Sequence, residues 1–276
     1  MSLPIYQVDA FTDKLFSGNP AAVCISKKEL DKVLMQNIAA EMNLSETAFV
    51  TPVKDEKDTY KIRWFTPLTE VKLCGHATLA SAHILFENDY VESNSITFYN
   101  KDHTLELFTK KSPYGIALNF PIDKMSEWRN DERKALLSYL GLPYTCPVFR
   151  GAVTGQILIE APEEDLLANL KPNFSRLLTL EETYTGVIVT SKSNSCDFVS
   201  RFFDPWEGID EDPVTGSAHT LLAPYWGHKL EQNLMRAKQI SKRGGCLQLE
   251  LKGSRVNICG QAITVFSGTL PNVDLK

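Results

Sequence analysis

LCGHATLASAHILF, residues 73–86, and PVTGSAHTLLAPYW, residues 213–226, decide how this chain is read. Each opens with a short polar stretch around a glycine and then turns apolar on nearly every side. A helix that is apolar all round is buried, so each segment is expected inside a sheet layer. The residues before them also match. SETAFVTP (45–52) leads to IRWFTP (62–67), and TGVIVTS (185–191) leads to VSRFFDP (199–205). Arg63-Trp64-Phe65-Thr66-Pro67 aligns with Arg201-Phe202-Phe203-Asp204-Pro205, and Gly75-His76-Ala77 with Gly216-Ser217-Ala218. The second copy carries a few extra residues between Pro205 and Gly216. Two matches in the same order indicate an internal duplication. The copies are too long for solenoid units, which run about 20 to 50 residues. They predict two similar domains facing each other across a cleft, a preferred place for a ligand.

The surrounding chain supplies strands. IYQVDAFT (5–12) alternates, Gly18-Asn19-Pro20 makes a turn, and AAVCI (21–25) follows as a second strand. Ser26 and Glu29 read as a capping box opening a helix through Leu30, Val33, Leu34, Ile38 and Met42, with Asn43 as its C-cap. LSETAFVTP and YKIRWFTP are strands. SITFYN, HTLELFTK and YGIALNF are short antiparallel strands. Residues 126–140 read as an amphipathic helix ending at Gly141-Leu142-Pro143. TGVIVTS, CDFVSRFF, LQLEL and RVNIC are further strands. There is no regular strand–helix alternation. The fold class is therefore α+β with mixed or antiparallel sheets, not a doubly wound sheet.

Composition bounds the function. The 276 residues are 43% hydrophobic and 23% charged, the balance of an ordinary soluble globular protein, and the length suits two domains. The net charge of −5, with no basic run, argues against a nucleic-acid partner and disfavours a membrane surface. No apolar run reaches the roughly 18 residues of a bilayer span, and the N-terminal stretch lacks the pattern of a signal peptide. Six scattered cysteines form no CxxC pair, so free thiols and a cytoplasmic location are expected.

Several residues are candidates for chemistry. Gly75-His76 and Gly216-Ser217 each precede an apolar helix. Glycine admits close backbone approach, and the N–H groups and dipole of a helix start favour an anion. Two such starts on one cleft suit a carboxylate substrate; taken singly, each glycine only shapes a turn. Glu46 lies at a strand mouth between Leu44 and Phe49, where an apolar setting raises a carboxyl pKa toward general acid/base use. One glutamate among 34 acidic residues is by itself an ordinary strand-start residue. Asp212, four residues before Gly216, could charge the cleft or cap a turn, and the turn is the usual role of an Asp-Pro pair. His76 could equally be a helix-start histidine bonded to backbone. A Cys74 nucleophile with His76 as base is disfavoured, because residues separated by one glycine rarely point at each other. A metal site is not expected: there is no HExxH, CxxC or i, i+4 histidine pair. No phosphate-binding glycine loop occurs, and Arg243-Gly244-Gly245 reads as a hairpin turn.

FSGNPAAV (16–23), NLSETAFV (43–50), RWFTP (63–67), LCGHATLASAHIL (73–85), EDPVTGSAHT (211–220) and SKRGG (241–245) together resemble, in order and nearly end to end, the phenazine biosynthesis-like (PhzF-like) isomerase family. The likeness is nearer to its widespread members of unassigned substrate than to the phenazine enzyme. It implies two domains of the diaminopimelate epimerase-like fold, each a curled sheet around a central helix. The first would span 1–118 with about 265–276, the second 119–264. It implies Glu46 as general acid/base, with His76 and Asp212 bordering the site. Asn19, Ser45, Gly75, Gly216 and Ser217 match substrate-binding positions. It implies no metal or organic cofactor, and a homodimer. Epimerase relatives use two opposed cysteines at the helix starts. Here Cys74 holds the first position and Thr215 the second. A threonine hydroxyl is far too weak an acid for that second role at pH 7, so two-thiol chemistry is disfavoured.

The expected function is a cofactor-independent isomerase moving a proton on a small carboxylate-containing metabolite. Two alternatives stand beside it. One is an amino-acid or hydroxy-acid epimerase or racemase, which needs a second base opposite Glu46. The other is a non-catalytic binding or interaction protein on the same fold.

Overall fold

The structure is a computed structural model and describes residues 2–180 and 184–271. The tail 272–276, assigned above to the first domain, lies outside the described residues. The chain divides into two compact units, Met1–Phe120 with Asn257–Lys276, and Pro121–Val256.

The first unit contains β1 (Leu3–Ala10), β2 (Asn19–Ile25), α1 (Lys32–Met42), β3 (Glu46–Pro52), β4 (Thr59–Phe65), β5 (Glu70–Val71), α2 (Gly75–Glu87), β6 (Ser95–Tyr99), β7 (Glu106–Ser112) and β8 (Gly115–Pro121), whose last residue enters the second unit. Along β1–β2–β3–β4–β6–β7 the pairings run antiparallel, parallel, antiparallel, parallel, antiparallel. The second unit contains β9 (Met125–Glu127), α3 (Arg133–Leu140), β10 (Val148–Gly151), β11 (Ile157–Glu160), α4 (Glu164–Ala168), α5 (Phe174–Leu177), β12 (Val187–Lys192), β13 (Phe198–Asp204), β14 (Ile209–Asp212), α6 (His219–Leu230), β15 (Leu234–Gln239) and β16 (Gly245–Lys252). β17 (Arg255–Gly260) returns the chain to the first unit, where β18 (Ala262–Leu270) pairs with β1. Along β10–β11–β12–β13–β15–β16 the senses are again antiparallel, parallel, antiparallel, parallel, antiparallel. The duplication read from two short motifs therefore extends over six strands of each unit.

α2 is buried from His76 to Ala82 and packs on β1, β2, β3 and β18. It carries two hydroxyls in its buried face. Thr78 donates to the Cys74 carbonyl at 2.6 Å and Ser81 to the Ala77 carbonyl at 2.7 Å, so neither is left without a partner in the core. α6 plays the matching part against β15 and β16, with Leu221, Leu222 and Ala223 wholly buried. Pro224 lies inside it and has no N–H for the Thr220 carbonyl. The Asp123 amide takes that carbonyl at 3.1 Å, which lets a proline sit in a core helix.

The copies share an internal clamp. Arg63 donates to Glu70 through two bonds of 2.7 and 2.9 Å, and Arg201 to Glu211 through two of 2.7 and 2.8 Å. Each guanidinium also lies over a phenylalanine two residues on, Phe65 or Phe203. These pairs tie β4 to β5 and β13 to β14, the hairpins that deliver the chain to the two central helices.

Three local expectations are corrected. Ser26 and Glu29 form no capping box: Ser26 Oγ bonds the backbone of Lys28, and the α1 N-cap is Asp31, which accepts from the Val33 and Leu34 amides. Residues 126–140 are not one helix. Met125–Glu127 pair with Phe149–Gly151 as strand, and α3 begins only at Arg133. The second central helix begins at His219, not at Gly216, because Gly216 and Ser217 occupy a tight turn whose carbonyls accept from His219 and Thr220 at 3.1 and 3.0 Å. Among the described residues no helix is long and apolar enough to cross a membrane.

Candidate active site

In the first unit the parallel pairing of β2 with β3 sets Ala21 opposite Glu46, so Glu46 opens its strand beside the start of β2. Asn19 is fully buried there and accepts a bond from Ser45 Oγ at 3.2 Å. The turn before it requires glycine. Gly18 has φ +66°, and a Cβ at that position would stand 2.2 Å from the Ala10 carbonyl oxygen.

α2 begins at Gly75, and its N-cap, Cys74, is extended at φ −143° and ψ 113° with no side-chain capping bond. The first N–H groups of a helix have no intrahelical acceptor. In α2 these include the amides of Gly75 and His76. The extended cap also turns the Cys74 thiol back over the first turn. Cys74 Sγ stands 3.5 Å from His76 Nδ1, so the expectation that these two side chains do not meet is overturned. His76 Nε2 lies 3.2 Å from Glu46 Oε2. That contact is off the line of an N–H···O bond and is electrostatic. Cys74, His76 and Glu46 thus form one cluster in the first unit.

Burial pushes the His76 imidazole down to about 3. An ionised Glu46 at this distance pulls the other way, but the ring has no water to solvate its cation and is neutral at pH 7. The Cys74 thiol lies 3.5 Å from Nδ1 and 3.9 Å from Nε2, over the face of this neutral ring.

The second unit arranges the equivalent stretch differently. Asp212 ends β14, and Thr215, the counterpart of Cys74, donates its hydroxyl to Asp212 Oδ2. Gln239 braces both: its Nε2 donates to the Asp212 carbonyl at 2.8 Å and to Thr215 Oγ1 at 3.2 Å, while its Oε1 accepts from the Thr215 amide at 2.9 Å. Ser217, the counterpart of His76, accepts from Gln156 Nε2 at 3.2 Å. His219 occupies the place of Thr78 and bonds the Thr215 carbonyl through Nδ1 at 2.9 Å, as Thr78 bonds the Cys74 carbonyl. Burial lowers its imidazole to about 4. Asp204, the counterpart of Thr66, is pushed up to about 7 by burial and then by the nearby charges of Glu207 and Asp212.

Of the expected site residues, Glu46 and His76 are in contact and Asn19 and Ser45 are bonded to each other, all in the first unit with Gly75. Asp212, Gly216 and Ser217 belong to the second. Gln239, Gln156 and the Thr78–His219 equivalence escape a reading of sequence alone. The Gln239 side chain reaches Asp212 and Thr215 across more than twenty residues, and a glutamine carries no local signal of that.

The unit architecture is that of the epimerase-like α+β class. The chain belongs to the phenazine biosynthesis-like family, whose model matches residues 8–268. A protein of Halalkalibacterium halodurans described as an uncharacterized isomerase is 48% identical over 273 residues, covering 98% of this chain and 99% of its own. The crystal structure of a PhzF-family protein from Enterococcus faecalis aligns with a TM-score of 0.89 and 41% identity, covering 98% of this chain and 99% of that one. A hydroxyproline epimerase of Agrobacterium vitis, solved with trans-4-hydroxy-L-proline, aligns at a TM-score of 0.57 and 10% identity over 99% of this chain and 93% of its own. That last likeness is one of fold.

Proposed function

We propose that this protein is a cofactor-independent isomerase that moves a proton on a small carboxylate-containing metabolite, with Glu46 as the general acid/base. The observation that carries this is the contact of Glu46 Oε2 with the buried, neutral His76 at 3.2 Å. A carboxylate at a strand mouth, mostly removed from water and held against a polar but uncharged ring, is suited to take a proton and return it. His76 holds Glu46 in place and answers its change of charge without itself ionising. The Gly75 and His76 amides at the start of α2 suit a substrate carboxylate or a developing enolate.

On the family resemblance Asp212 is assigned with Glu46 and His76 to the catalytic group, and Asn19, Ser45, Gly75, Gly216 and Ser217 to substrate binding. Two-thiol racemisation is disfavoured because the Thr215 hydroxyl is committed as a donor to Asp212. We also assign a homodimeric, cytoplasmic protein on the same resemblance.

The test is proton exchange. In deuterium oxide the enzyme is offered a panel of small carboxylates with an activated C–H bond, and incorporation is followed by NMR. Incorporation is expected in at least one, with product isomerised rather than inverted at a stereocentre. Glu46→Gln should lower the rate about 100- to 10,000-fold, the usual worth of general acid/base catalysis. An unchanged rate in that variant ends the assignment. Inversion at a single carbon moves the reading to an epimerase.

A further inference from the structure

We propose that Glu46, Cys74 and His76 form a binding site for a thiophilic divalent cation of the zinc type. Cys74 would bind as thiolate, His76 through a ring nitrogen and Glu46 through a carboxylate oxygen.

The donor atoms already stand close to the spacing such an ion imposes. One carboxylate oxygen, one thiol sulfur and one imidazole nitrogen lie within 4.8 Å of one another. Zinc bond lengths of about 2.0 to 2.3 Å at a tetrahedral angle place a nitrogen and an oxygen ligand about 3.4 Å apart, and a sulfur and a nitrogen about 3.5 Å apart. Here Nε2 and Oε2 are 3.2 Å apart, and Sγ and Nε2 are 3.9 Å apart. Sγ is also 3.5 Å from Nδ1, so the sulfur lies over the ring face, and a turn of the Cys74 side chain about χ1 brings it to an ion held in the ring plane by Nε2.

The frame around these donors is fixed. Cys74 is locked as the extended N-cap, with its carbonyl held by Thr78. Thr78 Oγ1 in turn accepts the Trp64 indole N–H at 3.1 Å. Glu46 is held in register by pairing with β2. Three protein ligands leave a fourth position for water or an anion. The mixture of thiolate, imidazole and carboxylate favours zinc, cobalt or cadmium over magnesium or calcium, which take oxygen ligands. Binding converts the Cys74 thiol to thiolate, so one proton leaves to solvent for each ion bound. The second unit has no counterpart, since Thr215 and Ser217 stand where Cys74 and His76 stand in the first.

An ion here would hold the carboxylate assigned above to proton transfer, so the cation acts as an inhibitor. This consequence rests on the proposed role of Glu46; the binding itself does not.

The test uses the full-length protein, stripped of metal and reduced, titrated with cobalt(II) and followed by absorption. Expected is a one-to-one complex with a near-ultraviolet thiolate charge-transfer band and the visible bands of a four-coordinate ion, both displaced by zinc. Cys74→Ser should abolish the charge-transfer band, while Cys246→Ser, which alters an exposed thiol, should leave it intact. Glu46→Gln and His76→Asn should each weaken binding at least tenfold, with circular dichroism confirming that the variants fold. Absence of a charge-transfer band in the native protein, or a band that survives Cys74→Ser, overturns the site. A normal band with turnover unaffected by bound ion leaves the site standing and removes Glu46 from catalysis.

Discussion

Arg63 grips Glu70 with two parallel hydrogen bonds, 2.7 and 2.9 Å long, in a position where the arginine side chain is 8% exposed. The pair closes the β4–β5 hairpin immediately ahead of α2. Those bonds hold the Glu70 carboxyl below the usual carboxylate range. Removing Arg63 leaves the largely buried Glu70 with only the exposed Lys32 ammonium at 3.5 Å. Arg63→Ala is therefore expected to cost about 3 kcal/mol, toward the lower end of values for a broken buried pair. Arg63→Lys recovers only part of this, since an ammonium cannot present the planar two-pronged donor. Urea denaturation midpoints of the three proteins check the order.

His76→Asn should leave the fold intact and reduce turnover by about 10- to 100-fold, less than Glu46→Gln, because it removes the contact that positions the base and not the base itself. Steady-state kinetics on whichever carboxylate shows exchange would decide this. An effect as large as that of Glu46→Gln would make His76 a second proton-transfer group.

Acid should unfold the protein through its buried imidazoles. His219 is held down to about 4 and His76 to about 3, both by burial. The unfolded chain binds those protons near pH 6.5 while the folded chain refuses them. Stability is therefore full above about pH 6.5 and falls as pH drops toward the two folded values, by roughly 3 kcal/mol for His219 alone. His219→Asn should flatten the pH dependence of stability between pH 6.5 and 4. A slope identical to wild type would count against a buried neutral ring.

Asp204 acts in the opposite direction. Its carboxyl is raised to about 7, first by burial and then by Glu207 and Asp212. Between pH 4 and 7 the unfolded chain has lost this proton and the folded chain has kept it. Asp204 thus withdraws stability as pH rises through that window, and the loss is complete above about pH 7. Asp204→Asn should be more stable than wild type at pH 8, by about 1 to 3 kcal/mol, and the difference should vanish near pH 4. Thermal melts at the two pH values measure it.

Gly18→Ala should be costly for its size. The methyl group would meet the Ala10 carbonyl at 2.2 Å in a backbone with φ +66°. Displacement of the turn would carry Asn19, and with it the Ser45 bond, out of place. A loss of at least about 2 kcal/mol is expected, read from the urea midpoint, together with a reduced rate of exchange.

Much of this architecture was open to reading because it is written in periodicity. The all-apolar run after Gly75 can only be a buried helix. Alternation in IYQVDAFT and the β-branched run of TGVIVTS indicated strands where strands occur. What misled was local chemistry with a nearby competitor. Ser26 and Glu29 have capping-box spacing, yet Asp31 stands closer to the apolar helical face and takes the cap. Met125–Glu127 looks helical until its partner, Phe149–Gly151, is known. The meeting of Cys74 with His76 depends on one pair of backbone angles at the N-cap, and the Gln239 brace on strands far apart in the chain. Neither leaves a trace in residue order. Glu46 and His76 could be nominated from their motifs, but their 3.2 Å approach follows from strand register against a helix start.

The shared strand senses and the two arginine clamps have a practical consequence. The halves agree in their hairpins and differ at the residues that open the helices: Cys74 against Thr215, His76 against Ser217, Thr78 against His219. Within a single chain, one scaffold has thus been filled twice with different chemistry. A combinatorial library restricted to positions 46, 74, 76, 215 and 217 would leave both clamps untouched. Replacing Thr215 with cysteine in such a library would ask whether a thiol at the second helix start can work with Cys74 at the first.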